Sequence, residues 1–287
     1  LVEITPTEIT PTGITSPGPD RRALFCVHPV GGNVLCYFDL ARALGPDQPF
    51  YGLQLPSSPA LHSIEEMAAH YLEAVRAVQP QGPYLLAGWS VGGIVAFEMA
   101  RQLTMMGTVS EETSLLVLID TPRPFRDWEV WDPDEPLLIS LFAKDLAATQ
   151  GRDFVVTMSV AELLELPPDQ RLQRVLFAAQ TARLLPPGIS GAEAERLFAM
   201  YRTIQEAVQK YQPGSWPGRA VALLATEGAF GEQEDSAAGW PELITGGLAV
   251  ERIEGDHYSI LRRPGVSDLA ARLAAYLAQS GTEGGEA

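Results

Sequence analysis

Residues 83–93 read Pro83-Tyr84-Leu85-Leu86-Ala87-Gly88-Trp89-Ser90-Val91-Gly92-Gly93. The apolar run Pro83 to Ala87 has the length and composition of a buried strand. Ile94 to Leu103 has a helical pattern. Between them Gly88-Trp89-Ser90-Val91-Gly92 matches G-x-S-x-G, the strand-to-helix turn that lifts a serine hydroxyl clear of a sheet. Gly88 and Gly92 have no β-carbon, so strand and helix can approach closely there, and Gly93 extends the contact. The helix start behind Ser90 points backbone N–H groups and a positive dipole end at the place where an oxyanion would form. A glycine-rich chain can hold this pattern by chance. Its position between an apolar strand and a helix favours a nucleophilic serine.

The rest of the chain is read outward from this turn. It has 287 residues, 46% hydrophobic and 20% charged, enough for one large α/β domain with an insertion. The formal net charge of −16 repels phosphates and argues against a nucleic-acid partner. Two cysteines, Cys26 in an expected strand and Cys36 in an expected helix, do not make a disulfide scaffold. No apolar run is long enough to span a bilayer, and no secretory signal is visible, so the expected location is cytoplasmic with no membrane partner. No metal site is expected.

Upstream, residues 1–20 are broken by Pro6, Pro11, Pro17 and Pro19 and are expected to be a linker, the chain being a domain cut from something longer. Ala23 to Val27 is an expected strand. It leads into His28-Pro29-Val30-Gly31-Gly32-Asn33 and then a helix from about Val34 to Leu44. A serine hydrolase draws its second oxyanion donor from such a loop. Val30 N–H is the candidate, Val91 N–H being the first; Pro29 has no N–H to give. Gly31-Gly32 is also compatible with an ordinary tight turn, and His28 reads as structural. Phe50 to Leu55 is the next strand. Ser63 to Val78 is a helix opened by a Ser63/Glu66 capping box.

Downstream, Ser114 to Ile119 is an expected strand ending at Asp120, thirty residues after Ser90. That is about one βαβ unit, so its strand is expected beside the Ser90 strand. Residues 123–218 carry helical segments without strands: 135–149, 159–166, 169–185 and 190–211. Ser159/Glu162 and Ser190/Glu193 are further capping boxes. Leu197, Tyr201, Ile204, Val208 and Tyr211 form one apolar stripe. This stretch is expected to be a helical lid. Trp128 and Trp131 could line its entrance or pack a hinge. Strands resume at Ala220 to Ala225 and Leu248 to Ile253, the latter leading into Gly255-Asp256-His257-Tyr258. A helix over Val266 to Ala278 follows, and 280–287 is expected to be a disordered tail. The hydrolase core is thus placed at 21–122 and 219–279.

The order Ser90, Asp120, His257 is that of α/β-hydrolases. A serine hydroxyl is a weak nucleophile, so His257 would take its proton. Asp120 would fix the imidazole tautomer and stabilise its cation. Many such enzymes place the acid after a later strand. Glu227 is that alternative, with Asp235 and Asp256 also near in sequence. The expected fold is therefore an α/β-hydrolase: a mostly parallel sheet flanked by helices, with an inserted helical lid.

Four stretches, Val27 to Gly32, Gly88 to Gly93, Ile119-Asp120-Thr121 and Gly255 to Tyr258, together resemble the terminal thioesterase domains of nonribosomal peptide and polyketide synthases. The resemblance spans roughly 22–278. It implies that a phosphopantetheine arm on an upstream carrier domain presents an acyl thioester. Ser90 takes the acyl group, and water or an internal nucleophile releases it by hydrolysis or macrocyclisation. It implies no cofactor in this domain itself. A stand-alone editing thioesterase or a carboxylesterase of the same fold is the rival enzyme reading. An inactive binding module is the non-enzyme one.

Overall fold

A computed structural model describes residues 1–4, 9–10, 13–14, 22–56, 61–106, 113–122, 135–149, 160–183, 190–227 and 239–282. Its strands, in chain order, are β1 (Val2–Glu3), β2 (Ile9–Thr10), β3 (Gly13–Ile14), β4 (Leu24–Val27), β5 (Phe50–Leu53), β6 (Tyr84–Trp89), β7 (Thr113–Ile119), β8 (Ala220–Ala225) and β9 (Leu248–Ile253). Its helices are α1 (Phe38–Leu44), α2 (Ile64–Val78), α3 (Val91–Met105), α4 (Glu135–Thr149), α5 (Val160–Leu164), α6 (Pro168–Thr181), α7 (Gly191–Lys210), α8 (Trp240–Leu243) and α9 (Gly265–Thr282).

Seven strands form one sheet in the order β1-β5-β4-β6-β7-β8-β9. Every neighbouring pair is parallel except β1 with β5. This is the α/β-hydrolase architecture. The inner strands β4, β6 and β8 are buried along their whole length. That is why they read as continuous apolar runs rather than alternating ones: helices cover both faces of a parallel sheet. At the edge, β9 keeps a half-exposed pattern. Helix α1 packs on α9 and α2 packs on α3. Alternate residues Leu24 and Cys26, Leu85 and Ala87, and Val117 and Ile119 share one buried cluster with Leu40, Leu269 and Leu273. The period of two sends every second side chain of each strand to that face.

The chain divides into two compact units, Leu1–Pro124 with Lys210–Ala287, and Phe125–Gln209. The elements described in the second unit are helices, α4 to α7. Within it Phe142 lies edge-on to Phe198 and Tyr201 at centroid distances of 5.3 and 5.4 Å. The Tyr201 hydroxyl donates to Asp145 Oδ2 at 2.7 Å. The Ser190/Glu193 box is closed in both directions, at 3.2 Å into the helix and 2.8 Å back. Ser159, Trp128 and Trp131 lie outside the described residues.

Several boundaries differ from the sequence reading. The helical unit stops at Gln209, nine residues before the expected 218. Tyr211 explains the difference. Its hydroxyl donates to the buried Glu98 on α3 at 2.6 Å, which also accepts from Arg101 Nη1 at 2.5 Å and Gln102 Nε2 at 3.1 Å. Trp216 is buried beside Phe97 and donates to Thr104 Oγ1. Residues after Lys210 thus find their burial in the sheet unit. At the amino end, residues 1–20 are not free of regular structure. Val2 and Glu3 pair with Gly52 and Tyr51, Ile4 N–H donates to Phe50 O at 2.9 Å, and β2 pairs with β3. Val2 and Ile4 are β-branched and favour the extended backbone that adds to the sheet edge. At the carboxyl end, α9 continues past Ala278, and the Ser280 carbonyl accepts from Arg22 Nη1 at 3.3 Å. Helix α8 was not foreseen.

Candidate active site

Strand β6 runs straight into α3, and Ser90 between them has φ 57° and ψ −131°. A non-glycine residue in that region costs about 1–3 kcal/mol, which the surrounding packing must offset. The packing is tight because three side chains are missing. A β-carbon on Gly88 would collide with the main chain of Gly92 and Gly93. One on Gly92 would strike the carbonyl oxygens of Val27 and His28. One on Gly93 would strike Thr121. The start of α3 therefore lies directly on the end of β4 and on the residue after Asp120. Ser90 N–H donates to Ile119 O and Ser90 O accepts from Gly93 N–H, both at 3.0 Å.

Val91 is the first residue of α3, so its N–H has no acceptor within the helix. The Gly92 contact brings this end of α3 to the chain that leads into Pro29-Val30. A turn follows, with Gly32 at φ 72° and its N–H donating to Pro29 O at 2.9 Å. The positive φ at Gly32 is the conformation for which glycine is suited. Val30 is buried in this turn.

Asp120 directly follows β7 and is itself at φ 38°. Its N–H donates to Leu223 O at 2.8 Å, and its Oδ1 accepts from Ala225 N–H at 2.9 Å. Its Oδ2 lies 2.6 Å from His257 Nδ1. Both side chains are nearly buried, at 8% and 11% exposure. A carboxylate only accepts, so Nδ1 carries the hydrogen and Nε2 keeps its lone pair for another donor. The loop bearing His257 is held by its neighbour. Asp256 Oδ1 accepts from Tyr258 and Ser259 N–H at 2.7 and 3.0 Å, and Ser259 Oγ accepts from Asp256 N–H at 2.8 Å. Burial alone would raise the Asp256 pKa; the bonds from Ser259 and Tyr258 outweigh it and hold it below its ordinary value. Asp256 is thus occupied in shaping the turn. Glu227 is exposed, and its N–H donates to Gly255 O at 2.9 Å. Asp235 lies outside the described residues.

A strained serine at a strand-to-helix turn and a buried Asp–His pair at the ends of nearby strands invite comparison with known proteins. The thioesterase-domain family matches residues 22–275. The chain belongs to that family. A dimodular nonribosomal peptide synthase of Bacillus subtilis (strain 168) is 44% identical over 129 residues, 43% of this chain and 5% of the synthase. A holo four-domain nonribosomal peptide synthetase, AB3403, bound to AMP and glycine, superposes with TM-score 0.78 at 33% identity, covering 89% of this chain and 20% of that one. The NocB thioesterase domain, solved as a covalent complex with a fluorophosphonate nocardicin G analogue, gives TM-score 0.62 at 27% identity over 89% of this chain and 94% of that one. The chain thus spans only a small share of the synthetases it matches.

In this thioesterase domain the other expected histidine, His28, is fully buried. Its Nδ1 donates to Pro29 O at 2.7 Å, and its Nε2 accepts from the Tyr71 hydroxyl at 2.6 Å. Burial pushes its pKa down from 6.5 to about 4, against the opposing pull of the Pro29 carbonyl. Cys26 and Cys36 are free thiols. Among the described residues no group of three or more His, Cys, Asp or Glu is placed to hold a metal, and no helix is long and apolar enough to cross a membrane. Four residues near the site escaped sequence reasoning. Thr121 packs on Gly93, and its hydroxyl donates to Gly88 O at 3.3 Å. Trp240 Nε1 donates to Thr121 O at 3.1 Å. Tyr37 and Trp89 join the strand ends. Two carried a signal: Trp89, beside the serine, and Thr121, which follows Asp120 in one of the four resembling stretches.

Proposed function

We propose that this thioesterase domain releases an acyl, peptidyl or polyketide chain from the phosphopantetheine arm of an upstream carrier domain. Ser90 Oγ attacks the thioester carbonyl as His257 Nε2 accepts its proton. The oxyanion is met by the N–H groups of Val30 and Val91, each contributing roughly 3 kcal/mol to the barrier reduction. The C–S bond then breaks, the departing sulfur takes the proton from His257, and the acyl group remains on Ser90 as an ester. Water, or an amine or hydroxyl of the chain itself, attacks that ester with His257 again as base; the ester C–O bond breaks and Ser90 Oγ takes the proton back from His257. Asp120 keeps the imidazole oriented and balances its charge. For the helical unit we propose the part of a cover for the acyl chain.

The observation that carries this reading is the 2.6 Å contact between His257 Nδ1 and the doubly engaged Asp120, which leaves Nε2 free to act. The similarity to multidomain peptide synthetases supports the carrier-bound substrate. The test is intact-mass spectrometry of the protein mixed with a set of acyl-pantetheine thioesters. The expected result is an acyl adduct on Ser90, absent in Ser90→Ala, followed by linear or cyclic product. Turnover without any dependence on Ser90 would overturn the reading.

A further inference from the structure

The strands β4 and β6 part company at the site. Val27 with Gly88 is the last pair of their register. A ladder continued one step further would join Trp89 N–H to Val27 C=O directly. Instead the Tyr37 hydroxyl stands between them, accepting from Trp89 N–H at 2.9 Å and donating to Val27 O at 2.5 Å. Tyr37 is fully buried, so this bridge is shielded from competing water. It fixes the main chain of Trp89, the residue before Ser90.

The side chain of Trp89 then reaches across the sheet end. Its Nε1–H donates to the main-chain carbonyl of His257 at 3.0 Å. Its ring lies 4.7 Å from the imidazole, tilted by 32°. Tyr258 closes the group, edge-on to both rings at 5.8 and 5.0 Å. Trp89 is 4% exposed. The contact spans 168 residues of chain and joins the loop of the imidazole to the strand of the serine. The Asp120 contact fixes only one ring nitrogen. Rotation of the loop about that contact would still swing Nε2, and the indole contacts oppose that swing.

We infer that Trp89 is a positioning residue, whose indole holds the His257 loop and with it the direction of Nε2. This rests on the proposed roles of Ser90 and His257. The side chain touches no reacting atom in this scheme. It acts through the main chain and ring of His257, where small displacements of a catalytic group are expensive.

The test follows the rate at which an alkyl fluorophosphonate labels Ser90, split into the binding constant KI and the maximal rate kinact. Trp89→Phe keeps an aromatic ring but removes the N–H. β-(3-Benzothienyl)alanine in place of Trp89 keeps the full shape and removes only the donor, so a folding defect in the first variant does not decide the matter. The expected result for both is a fall in kinact of about tenfold per folded molecule, KI unchanged, and a thermal midpoint within a few degrees of the native protein. The proton resonance of His257 Nδ1–H should also broaden. A fall in kinact of less than about threefold per folded molecule would overturn the inference. Failure of the native protein to be labelled on Ser90 would instead remove the nucleophile reading, and this one with it; a labelled native protein with unslowed variants removes only the role of Trp89.

Discussion

His28 and His257 both leave the carboxyl ends of strands in one sheet, after β4 and β9, and both are buried. Both use Nδ1 as a donor to oxygen, at 2.7 and 2.6 Å. They differ in what the oxygens are. His28 faces a neutral carbonyl and has its second nitrogen taken by Tyr71, so nothing near it rewards a positive charge. His257 faces a carboxylate, which rewards the imidazolium that proton transfer would create, and its second nitrogen is not used by that contact. One residue type at one edge of one sheet thus becomes a core strut or a candidate base according to its partners.

The largest effects should come from breaking the charged partnership. Asp120→Asn should lower kcat by about 10⁴-fold, because the amide can hold the wrong imidazole tautomer. Glu227→Gln should leave it unchanged within about twofold. Steady-state kinetics on an acyl-pantetheine thioester, with thermal midpoints as a folding control, reads both. The next contrast is between the two histidines. His257→Ala should lower kcat at least as far, by about 10⁴-fold or more. His28→Gln should leave kcat within about fivefold.

Stability against pH separates them further. The folded pKa of His28, about 4, lies below its ordinary 6.5, so on acidification the unfolded chain takes up the proton first. The stability from this residue is complete above pH 6.5 and drains away as pH falls towards 4, about 3 kcal/mol in all. Denaturant melts at pH 7 and pH 4.5 should show this loss in the native protein and a shallower one in His28→Gln. The smallest effect is expected from Tyr71→Phe. It removes one buried donor to His28 and should lower stability by about 1–2 kcal/mol while sparing kcat.

Much of the sheet was legible because its information is local. Apolar runs of strand length gave β4 to β9, and the glycines at 88, 92 and 93 marked the close approach of α3 before any contact was known. Asp120 and His257 could be related because each follows the carboxyl end of a strand, and parallel strands put those ends on one edge. What stayed hidden is long-range. The bonds of Trp89 to Tyr37 and to His257 join residues 52 and 168 positions apart, and no periodicity reports them. Helix α8 has four residues including a proline, too short for a pattern. Tyr211 kept the stripe of α7 in sequence, yet its hydroxyl bonds to Glu98 outside the helical unit, which is why the expected boundary ran nine residues too far.

In the proposed mechanism the partner chemistry around His257, and not that around His28, arms Ser90. Peptide mapping by mass spectrometry after brief fluorophosphonate treatment tests it on the native protein, His257→Ala, Asp120→Asn and His28→Gln side by side. Label is expected on the Ser90 peptide of the native protein and of His28→Gln, and little or none on the other two. Label lost in His28→Gln but kept in His257→Ala, with all four proteins folded, would contradict it.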